Sequence, residues 1–392
     1  MNRENRIAVI GAGLGGLVAG SLLRERGCDV QIYEQAPEFQ RLGAGINLGP
    51  NVMKVLRAIG VEQRLLDIGL RPTSWKSRDW DTGRVKFEYP FRDAAESAFG
   101  ASYLLIHRGD FHEILLDAVD PGIVQFGNRL VGLDETGATV GLAFDDGSAA
   151  EADIVIGADG INSMVREVML GPELPVYSGY VAHRSIIPAH LLGDLKPPDF
   201  TKWWTDDQHD DTHIVVYFLD GNHEEIYFVT GVAEPQWDHG LQYVDADLDE
   251  LRAAFEGFHP EVQHLLDVCP GATKWPLWDR DPLPLWGRGR TVLIGDACHP
   301  MKPHMGQGAA IAIEDAAILV RCLEHCGNDH EAAFALYETS RKDRASLCQH
   351  HSRENKWLRD AMDPTWVFAY DAMEIPLGPH APDAAALAQL TP

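Results

Sequence analysis

The segment Arg6–Glu34, RIAVIGAGLGGLVAGSLLRERGCDVQIYE, decides the fold of this 392-residue chain. Its apolar beginning, Arg6–Ile10, predicts a short buried strand, and the G-x-G-x-x-G turn after it predicts the start of a helix. Helical spacing runs over Leu17–Arg26 and stops at Gly27, a typical C-terminal signal, before a second predicted strand, Val30–Tyr33. The segment therefore predicts a βαβ unit of the kind that binds dinucleotides.

Each glycine of the turn has a physical role in this prediction. Gly11 permits the tight turn, Gly13 lets the backbone approach a pyrophosphate, and Gly16 lets the helix pack on the strand. The free N–H groups at the helix start bind phosphate. Glu34 lies 18 residues after Gly16, where its carboxylate accepts hydrogen bonds from an adenosine ribose. A dinucleotide site is predicted, although the motif alone does not separate NAD from FAD.

Charge and composition exclude several classes of protein. The chain carries 59 acidic against 33 basic residues, a net charge of −26, which argues against nucleic-acid binding and against docking on anionic membranes. No window is long and uncharged enough to span a membrane. The acidic balance disfavours an anionic substrate at long range, so any anion site must be built locally.

The six cysteines form no C-x-x-C pair and no disulfide framework. Cys322 and Cys326 are interpreted as thiols that pack a helix rather than as metal ligands, and no metal site is predicted. Free thiols fit a reducing cytoplasm, where we expect the protein as a monomer or homodimer.

Two further strand ends each deliver an acid and a glycine. Asp159-Gly160 follows the predicted strand Ala152–Ile156, and Gly295-Asp296 follows the predicted strand Arg290–Ile294. A helix is predicted from about Ala309, and its first N–H groups would face a bound group at that edge. Each feature alone is ordinary, but with the G-x-G-x-x-G turn they form an ordered set of three.

The middle of the chain, Val181–Leu285, differs in character because it is rich in Trp, Tyr and Phe. His213–Leu219 and Glu225–Val232 alternate polar and apolar residues and predict a β-hairpin. Trp75–Tyr89 predicts another pair of strands, and Leu248–Leu266 predicts one amphipathic helix. We expect a separate, sheet-based substrate unit, and a further helix over His330–Leu358.

His213 and Tyr217 are four residues apart on the first strand of that hairpin. The period of two places them on one face with Val215 and Leu219. A face with a histidine, a tyrosine and aliphatic side chains suits a flat aromatic acid. From the residues alone, a core tyrosine and a strand-edge histidine are the commoner explanation, so both interpretations stay open.

The three fingerprints in this order resemble the single-component flavin-dependent aromatic hydroxylases, over roughly Arg6–Leu358. The resemblance implies the α/β fold of 4-hydroxybenzoate hydroxylase, in which an inserted β-sheet substrate domain interrupts a Rossmann-like FAD domain and a helical region follows. The expected boundaries are 1–74, 100–178 and 286–330 for the FAD domain, 75–99 and 179–285 for the substrate domain, and 331–392 for the C-terminal region and tail.

The same resemblance implies the cofactor and its contacts. FAD is the expected cofactor, with NADH, or else NADPH, as reductant and O2 as co-substrate. Asp159 is then the acid of the family's shared FAD/NAD(P)H motif, Asp296 holds the ribityl chain, and Arg108 lies on the phosphate or ribityl region. The residues expected to bind the cofactor are Gly11, Gly13, Leu14, Gly15, Gly16, Glu34, Gln35, Arg41, Asn47, Arg108, Leu130, Asp159, Asp296, Gly308 and Ala309.

Several strings, among them Lys202-Trp203-Trp204 and His299–Met305, resemble a branch of the family that hydroxylates a pyridine ring and expels its carboxylate. The resemblance implies a small aromatic or pyridine carboxylate as substrate, with His213, Tyr217 and His304 around the ring. The branch carries a histidine where this chain has Asn47, and an amide cannot act as a base near neutral pH. The candidate catalytic residues are Tyr217, His213, Asn47 and His304.

The expected reaction follows from that resemblance. NAD(P)H reduces FAD, O2 forms a flavin hydroperoxide, and a ring activated by loss of its hydroxyl proton takes the distal oxygen. A decarboxylating hydroxylase of the salicylate or 4-hydroxybenzoate type is the first alternative, which Asn47 keeps open. An NAD-linked dehydrogenase and a ligand-binding flavoprotein are more distant alternatives.

Overall fold

The structure is a computed structural model and describes residues 5–41, 43–206, 211–239 and 243–379. Its strands are β1 (Arg6–Ile10), β2 (Asp29–Tyr33), β3 (Gly45–Leu48), β4 (Ser74–Asp79), β5 (Val85–Pro90), β6 (Leu104–His107), β7 (Val124–Gln125), β8 (Leu130–Asp134), β9 (Val140–Phe144), β10 (Ala149–Ala152), β11 (Ile154–Gly157), β12 (Val176–Pro188), β13 (Phe200–Trp204), β14 (His213–Phe218), β15 (Glu225–Ala233), β16 (Val244–Asp245), β17 (Thr273–Asp279), β18 (Gly287–Arg288) and β19 (Thr291–Leu293). Its α-helices are α1 (Leu14–Glu25), α2 (Pro50–Ala58), α3 (Glu62–Ile68), α4 (Arg92–Phe99), α5 (Arg108–Ala118), α6 (Met164–Leu170), α7 (Leu248–Ala254), α8 (Pro260–Asp267), α9 (Gly308–Cys326), α10 (His330–Glu354) and α11 (Thr365–Phe368).

A six-stranded sheet in the order β18-β19-β11-β1-β2-β7 forms the first layer. Strands β19, β11, β1, β2 and β7 pair in parallel, and β18 is antiparallel to β19. Parallel strands place their carboxyl ends at one edge of a sheet. The three predicted turns follow β1, β11 and β19, so they lie side by side although they are far apart in sequence.

The glycine turn folds tightly onto its neighbours. Gly11 has φ +105° and donates its N–H to the Tyr33 carbonyl at 2.7 Å. A Cβ added at Gly16 would lie 2.0 Å from the Gly11 carbonyl oxygen, so only glycine allows this packing of helix on strand. Helix α1 begins at Leu14, three residues before the predicted start at Leu17, because the turn itself forms the first helical residues.

An eight-stranded sheet in the order β16-β17-β12-β15-β14-β13-β4-β5 forms the second layer. The predicted hairpin of β14 and β15 is confirmed, with His213 opposite Gly231 and Tyr217 opposite Tyr227. Strands β4 and β5 join this sheet from the N-terminal part of the chain. The expected domain boundaries remain a prediction.

Two helix predictions were wrong. The single helix predicted over Leu248–Leu266 is two helices, α7 and α8, because Gly257 has φ +83° and Pro260 starts a new helix. The helix predicted to reach Leu358 ends at Glu354, where Asn355 takes a left-handed conformation with φ 51°. Amphipathic spacing concealed the first break, and the second depends on contacts distant in sequence.

Buried charges join α9 to α10 and fix the turn after β19. Arg341 donates to Asp315 at 2.8 Å, and Asp315 also accepts from the Gly295 N–H at 3.0 Å and from His299. Burial acts to raise the pKa of Asp315, but His299 and Arg341 lower it to about 2. A fully buried ion pair keeps its geometry only when such hydrogen bonds satisfy it. His299 is therefore a structural residue. Within the described ranges, no helix has the length and apolarity needed to cross a membrane.

Candidate active site

The start of α1 leaves space for a phosphate. A Cβ added at Gly13 would meet nothing within 4 Å, and no side chain caps the helix. Glu34 lies beside it and accepts the Ala12 N–H and the Ala36 N–H, each at 2.8 Å. These bonds orient the carboxylate and leave lone pairs for ribose hydroxyls. Gln35, also expected to bind the cofactor, is an exposed neighbour.

Asp159 organises its own turn at the next strand end. It accepts the Ser163 hydroxyl at 2.5 Å and the Val165 N–H at 3.2 Å, so it caps α6. Burial raises the pKa of Asp159. The carbonyl of Ala158 lies against Gly11, and a Cβ there would come within 2.4 Å of it. Asp159 thus shapes the turn against which the glycine turn packs. Leu130, also expected to bind the cofactor, is buried at the start of β8.

Arg108 is the first residue of α5 and is held by its backbone N–H, which donates to the Ala44 carbonyl at 2.8 Å. Its guanidinium is close enough to Asp296 and Arg184 for their charges to act on it: burial first, and then Arg184, lower the pKa of Arg108. Arg41 instead pairs with Asp110, so its expected contact with the cofactor must compete with that carboxylate.

The third turn faces the same edge. The Asp296 side chain is exposed, although protein atoms crowd around it and raise its pKa. Gly308 and Ala309 open α9, which has no side-chain cap. Gly15 and Gly295 both lie against Ala312 of that helix. A phosphate-sized space, a free helix start and a carboxylate at one sheet edge fit the parts of FAD in order.

The predicted ring face is present on the second sheet. Cross-strand partners share a face, so Lys202 lies with Val215, and Phe200 with Tyr217. Val215 and Val229 are only partly buried although they occupy central strands. Open space therefore stands against this face, on the side where His213 and Tyr217 project.

Tyr217 is buried, with its ring 5.4 Å from Phe200 and 5.2 Å from Tyr227. A Cβ at Gly45 would lie 2.5 Å from its hydroxyl oxygen, so this hydroxyl touches the backbone of β3. Burial, and then the neighbouring Tyr227 hydroxyl, raise the pKa of Tyr217 well above its usual range. Tyr217 is accordingly a protonated donor at neutral pH.

His304 presents an acceptor to the same region. Its Nδ1 lies 2.8 Å from the Ser352 carbonyl oxygen, which can only accept, so Nδ1 carries the hydrogen. Nε2 is buried and has no hydrogen-bond partner among the described residues. Burial first, and then Lys202, hold the pKa values of His304 and His213 well below the usual range. Both imidazoles are neutral at neutral pH.

Asn47 lies at the junction between this face and the third turn. Its amide nitrogen is 2.7 Å from the position of a Cβ on Gly306, just before α9. Its side chain also interacts with the Tyr103 hydroxyl. Gly45, two residues earlier on the same face of β3, touches Tyr217. The structure thus brings Asn47 between the expected cofactor and the tyrosines.

Several residues of the site were missed from sequence. Arg184 faces it because it pairs with Val229, and Lys202 because it pairs with Val215. A lysine in the aromatic strand Phe200–Trp204 was the available signal for Lys202. Asn355 gave none, because its partners are more than 140 residues away.

Together, the fold and this edge define an FAD-binding α/β protein with a second sheet over the cofactor cleft. The chain belongs to the FAD binding domain family, which it matches over residues 4–352.

The chain is also similar to three known proteins. It is 54% identical to 6-hydroxynicotinate 3-monooxygenase of Bordetella bronchiseptica, over 96% of this chain and 98% of that protein. It is 51% identical to the enzyme of that name from Pseudomonas fluorescens, again over 96% and 98%. Its fold matches Klebsiella pneumoniae HpxO, solved with FAD and uric acid, with a TM-score of 0.79 at 28% identity, over 90% of this chain and 87% of that one.

Proposed function

We propose that this chain is an FAD-dependent monooxygenase that hydroxylates 6-hydroxynicotinate, with loss of the carboxylate, to 2,5-dihydroxypyridine. NADH or NADPH and O2 are its co-substrates. The observation that carries the proposal is the buried Nε2 of His304, which carries no proton, has no hydrogen-bond partner among the described residues, and belongs to a ring that meets His213 edge to face. The two relatives above half identity, which bear the name of this reaction, support the choice of substrate.

When bound, reduced FAD supplies one oxygen atom of O2 to the ring. Gly11, Gly13 and Gly16 let the backbone of the turn and the start of α1 hold its pyrophosphate. Glu34 would bind the ribose, and Asp296 the ribityl hydroxyls. The N–H groups at the start of α9 would stabilise negative charge on the bound flavin.

Oxygen transfer needs an electron-rich carbon in the substrate ring. The chain makes the ring electron-rich by removing the proton of its hydroxyl group. Neutral His304 accepts the substrate's hydroxyl proton at Nε2, because its Nδ1–H is held by the Ser352 carbonyl. Tyr217, protonated and buried, donates a hydrogen bond that orients the ring oxygen. Asn47 adds a polar contact but takes no proton.

The carboxylate of the substrate needs positive charge in a chain of net charge −26. Arg184 offers it: its guanidinium lies 5.0 Å from the ring of Trp275, and within the described ranges no carboxylate reaches ion-pair distance from it. It is partly exposed on the ring face, in line with Val229. A planar guanidinium matches a carboxylate bidentately.

The test is product analysis with purified, FAD-loaded protein and NADH. We expect 6-hydroxynicotinate to accelerate NADH oxidation and to yield 2,5-dihydroxypyridine and CO2 in equal amounts. Nicotinate, which lacks the ring hydroxyl, is the matched control and should give no product. Hydroxylation of salicylate or a hydroxybenzoate, with none of 6-hydroxynicotinate, would contradict the substrate and leave the flavin chemistry standing.

One observation favours that second candidate function. Asn47 is engaged with Tyr103 and lies against Gly306, so the polar group at this position is an amide. A hydroxybenzoate with no ring nitrogen needs one hydrogen-bond partner fewer than a pyridine. Hydroxylation of a hydroxybenzoate is therefore the alternative that the substrate comparison must separate.

The proposal extends to the cellular setting. The thiols of Cys28, Cys269, Cys298, Cys322 and Cys348 are buried and that of Cys326 is partly buried, and none of them forms a disulfide. Thiols in this state suit a reducing compartment, so we infer a cytoplasmic enzyme, monomeric or homodimeric. Light scattering on the purified protein measures the second point.

A further inference from the structure

The end of α10 contacts the residues around His213 in the proposed site for the substrate ring. Asn355 caps this helix with φ 51° and ψ 40°, and its side chain is 1% exposed. Glycine is the usual residue at a left-handed helix end, because it has no Cβ to strain. An asparagine here costs more than a glycine would, so its buried amide should have a use.

The amide has three partners, and they permit one orientation. Oδ1 accepts from the Lys202 ammonium at 2.6 Å, while Nδ2 donates to the Asp211 carboxylate at 2.8 Å. Nδ2 also lies 3.1 Å from His213 Nδ1, a contact rather than a hydrogen bond, because both nitrogens carry hydrogens. The Asp211 carboxylate can only accept, so the nitrogen must face it and the oxygen must face Lys202.

His213 is held through this arrangement. Its Nδ1 lies 2.8 Å from the backbone carbonyl oxygen of Asp211, the residue whose side chain Asn355 binds. Its ring lies over Gly231, where a Cβ would come within 2.1 Å of it. Lys202 is fixed in turn above the Trp204 ring, 3.5 Å from its centroid. The imidazole is thus held at Nδ1 and on one side, which leaves Nε2 for what enters the site.

The same end of α10 also orients the second imidazole. Ser352, three residues before Asn355, accepts from His304 Nδ1. The rings of His213 and His304 meet edge to face with centroids 5.2 Å apart. One helical turn therefore accepts from His304 Nδ1 and contacts His213 at its Nδ1 side, although the two histidines come from different parts of the chain.

We propose that Asn355 is a positioning residue for the ring chemistry: its amide ties Lys202 to Asp211 and so holds His213 in one tautomer and orientation. This rests on the proposed function, since it assigns a task to the histidine of that site. Asn355 touches no reacting atom, and it acts through His213. The charged and titratable groups that act on this imidazole in the described residues are Lys202 and His304. Asp211 and Arg359 act in turn on Lys202, and Lys302 acts on His304.

The deciding variant is Asn355→Gly, which suits the left-handed backbone and removes only the amide. We expect unchanged FAD content and kcat/KM lowered about 10- to 100-fold, the range typical of residues that orient a functional histidine. Arg353→Gln is the matched control, because Arg353 ties the same helix end to Asp279 without touching either histidine. It should keep kcat/KM within about twofold.

A second variant and a spectroscopic readout separate positioning from stability. Asn355→Asp keeps the shape but places a carboxylate at His213 Nδ1, so the acid limb of the kcat/KM profile should move to higher pH. In FAD-loaded protein with ring-15N histidine, the wild type should show His213 as a neutral Nδ1–H tautomer, and Asn355→Gly should show mixed tautomers. His213→Gln assigns the signal.

Two results would overturn the inference: His213 signals in Asn355→Gly that match the wild type, or equal losses of kcat/KM in Asn355→Gly and Arg353→Gln. The nitrogen spectra need no turnover. They therefore decide the role of Asn355 even if 6-hydroxynicotinate proves not to be the substrate.

Discussion

His213 and His304 meet edge to face, with their ring centroids 5.2 Å apart, although one belongs to a strand of the second sheet and the other to the segment before α9. Each has its Nδ1 on a backbone carbonyl, of Asp211 and Ser352 respectively. His213 shares its strand face with Tyr217, so two neutral imidazoles with the same tautomer lie at one end of that face. Neutral imidazoles can accept a proton from a ring hydroxyl. Their lowered pKa values keep them unprotonated before the substrate binds.

Two glycines of the N-terminal motif should respond differently to alanine. Gly13→Ala meets no atom within 4 Å, so the protein should fold normally and bind FAD more weakly, because the methyl occupies the approach of the phosphate. Gly16→Ala places its Cβ 2.0 Å from the Gly11 carbonyl, so it should lower the melting temperature.

Thermal unfolding and FAD titration of both variants check this pair, with Gly122→Ala outside the site as a strained-turn control. Equal melting temperatures for Gly13→Ala and Gly16→Ala would show that the helix does not pack on the turn as described.

Tyr217→Phe keeps the ring packing and removes one hydroxyl. Because Tyr217 donates the hydrogen bond that orients the ring oxygen, we expect turnover to fall about 10- to 100-fold, as for a lost hydrogen bond to a charged oxygen, with FAD content unchanged. Coupled product formation is the measurement, and Tyr103→Phe, at the neighbouring hydroxyl, is the comparison. Undiminished turnover would remove Tyr217 from the catalytic residues.

The acid limb of kcat/KM should lie below pH ~6.5, the ordinary pKa of histidine. Burial, and then Lys202, lower the pKa values of His213 and His304, so both stay neutral and able to accept a proton until the pH falls further. Lys202→Met removes this positive charge, and the limb should move to higher pH.

Lys54→Met is the control for that shift, because Lys54 is a half-buried lysine whose ammonium bonds to the Ala369 carbonyl away from the ring face. A limb that stays in place in Lys202→Met would show that Lys202 does not act on these imidazoles.

Asn47→His should raise turnover of 6-hydroxynicotinate, since it adds a base with a pKa near ~6.5 between Tyr103 and Gly306. Asn47→Gln, which lengthens the side chain but keeps the amide, should not. Steady-state turnover with 6-hydroxynicotinate and with salicylate measures both. No gain from histidine would favour a different aromatic acid.

The sequence predicted the βαβ unit and the hairpin because each depends on local spacing. The glycine spacing of Gly11–Gly16 indicates the tight turn and its packing directly. The alternation of polar and apolar residues along the hairpin strand places His213 and Tyr217 on one face. The break at Pro260 was readable too, but the amphipathic pattern of Leu248–Leu266 outweighed it in the prediction.

Other parts of the site had no local signal. Lys202, Asp211 and Asn355 become neighbours only when α10 packs against the second sheet, so no window of sequence contains their relationship. The state of His304 depends likewise on the Ser352 carbonyl, a backbone group that no motif encodes. Tautomer and burial are consequences of packing. The family resemblance therefore indicated which residues belong to the site, but not which of their atoms carry hydrogens or how deeply they are buried.

The central claim is that the substrate ring lies between Tyr217 and His304 with its hydroxyl on His304 Nε2. The most direct measurement is a crystal structure of the FAD-loaded protein with 6-hydroxynicotinate. We expect the ring hydroxyl oxygen within about 3.2 Å of Nε2, a hydrogen-bond distance. A ring bound elsewhere, or turned so that its hydroxyl is remote from both histidines, would contradict it.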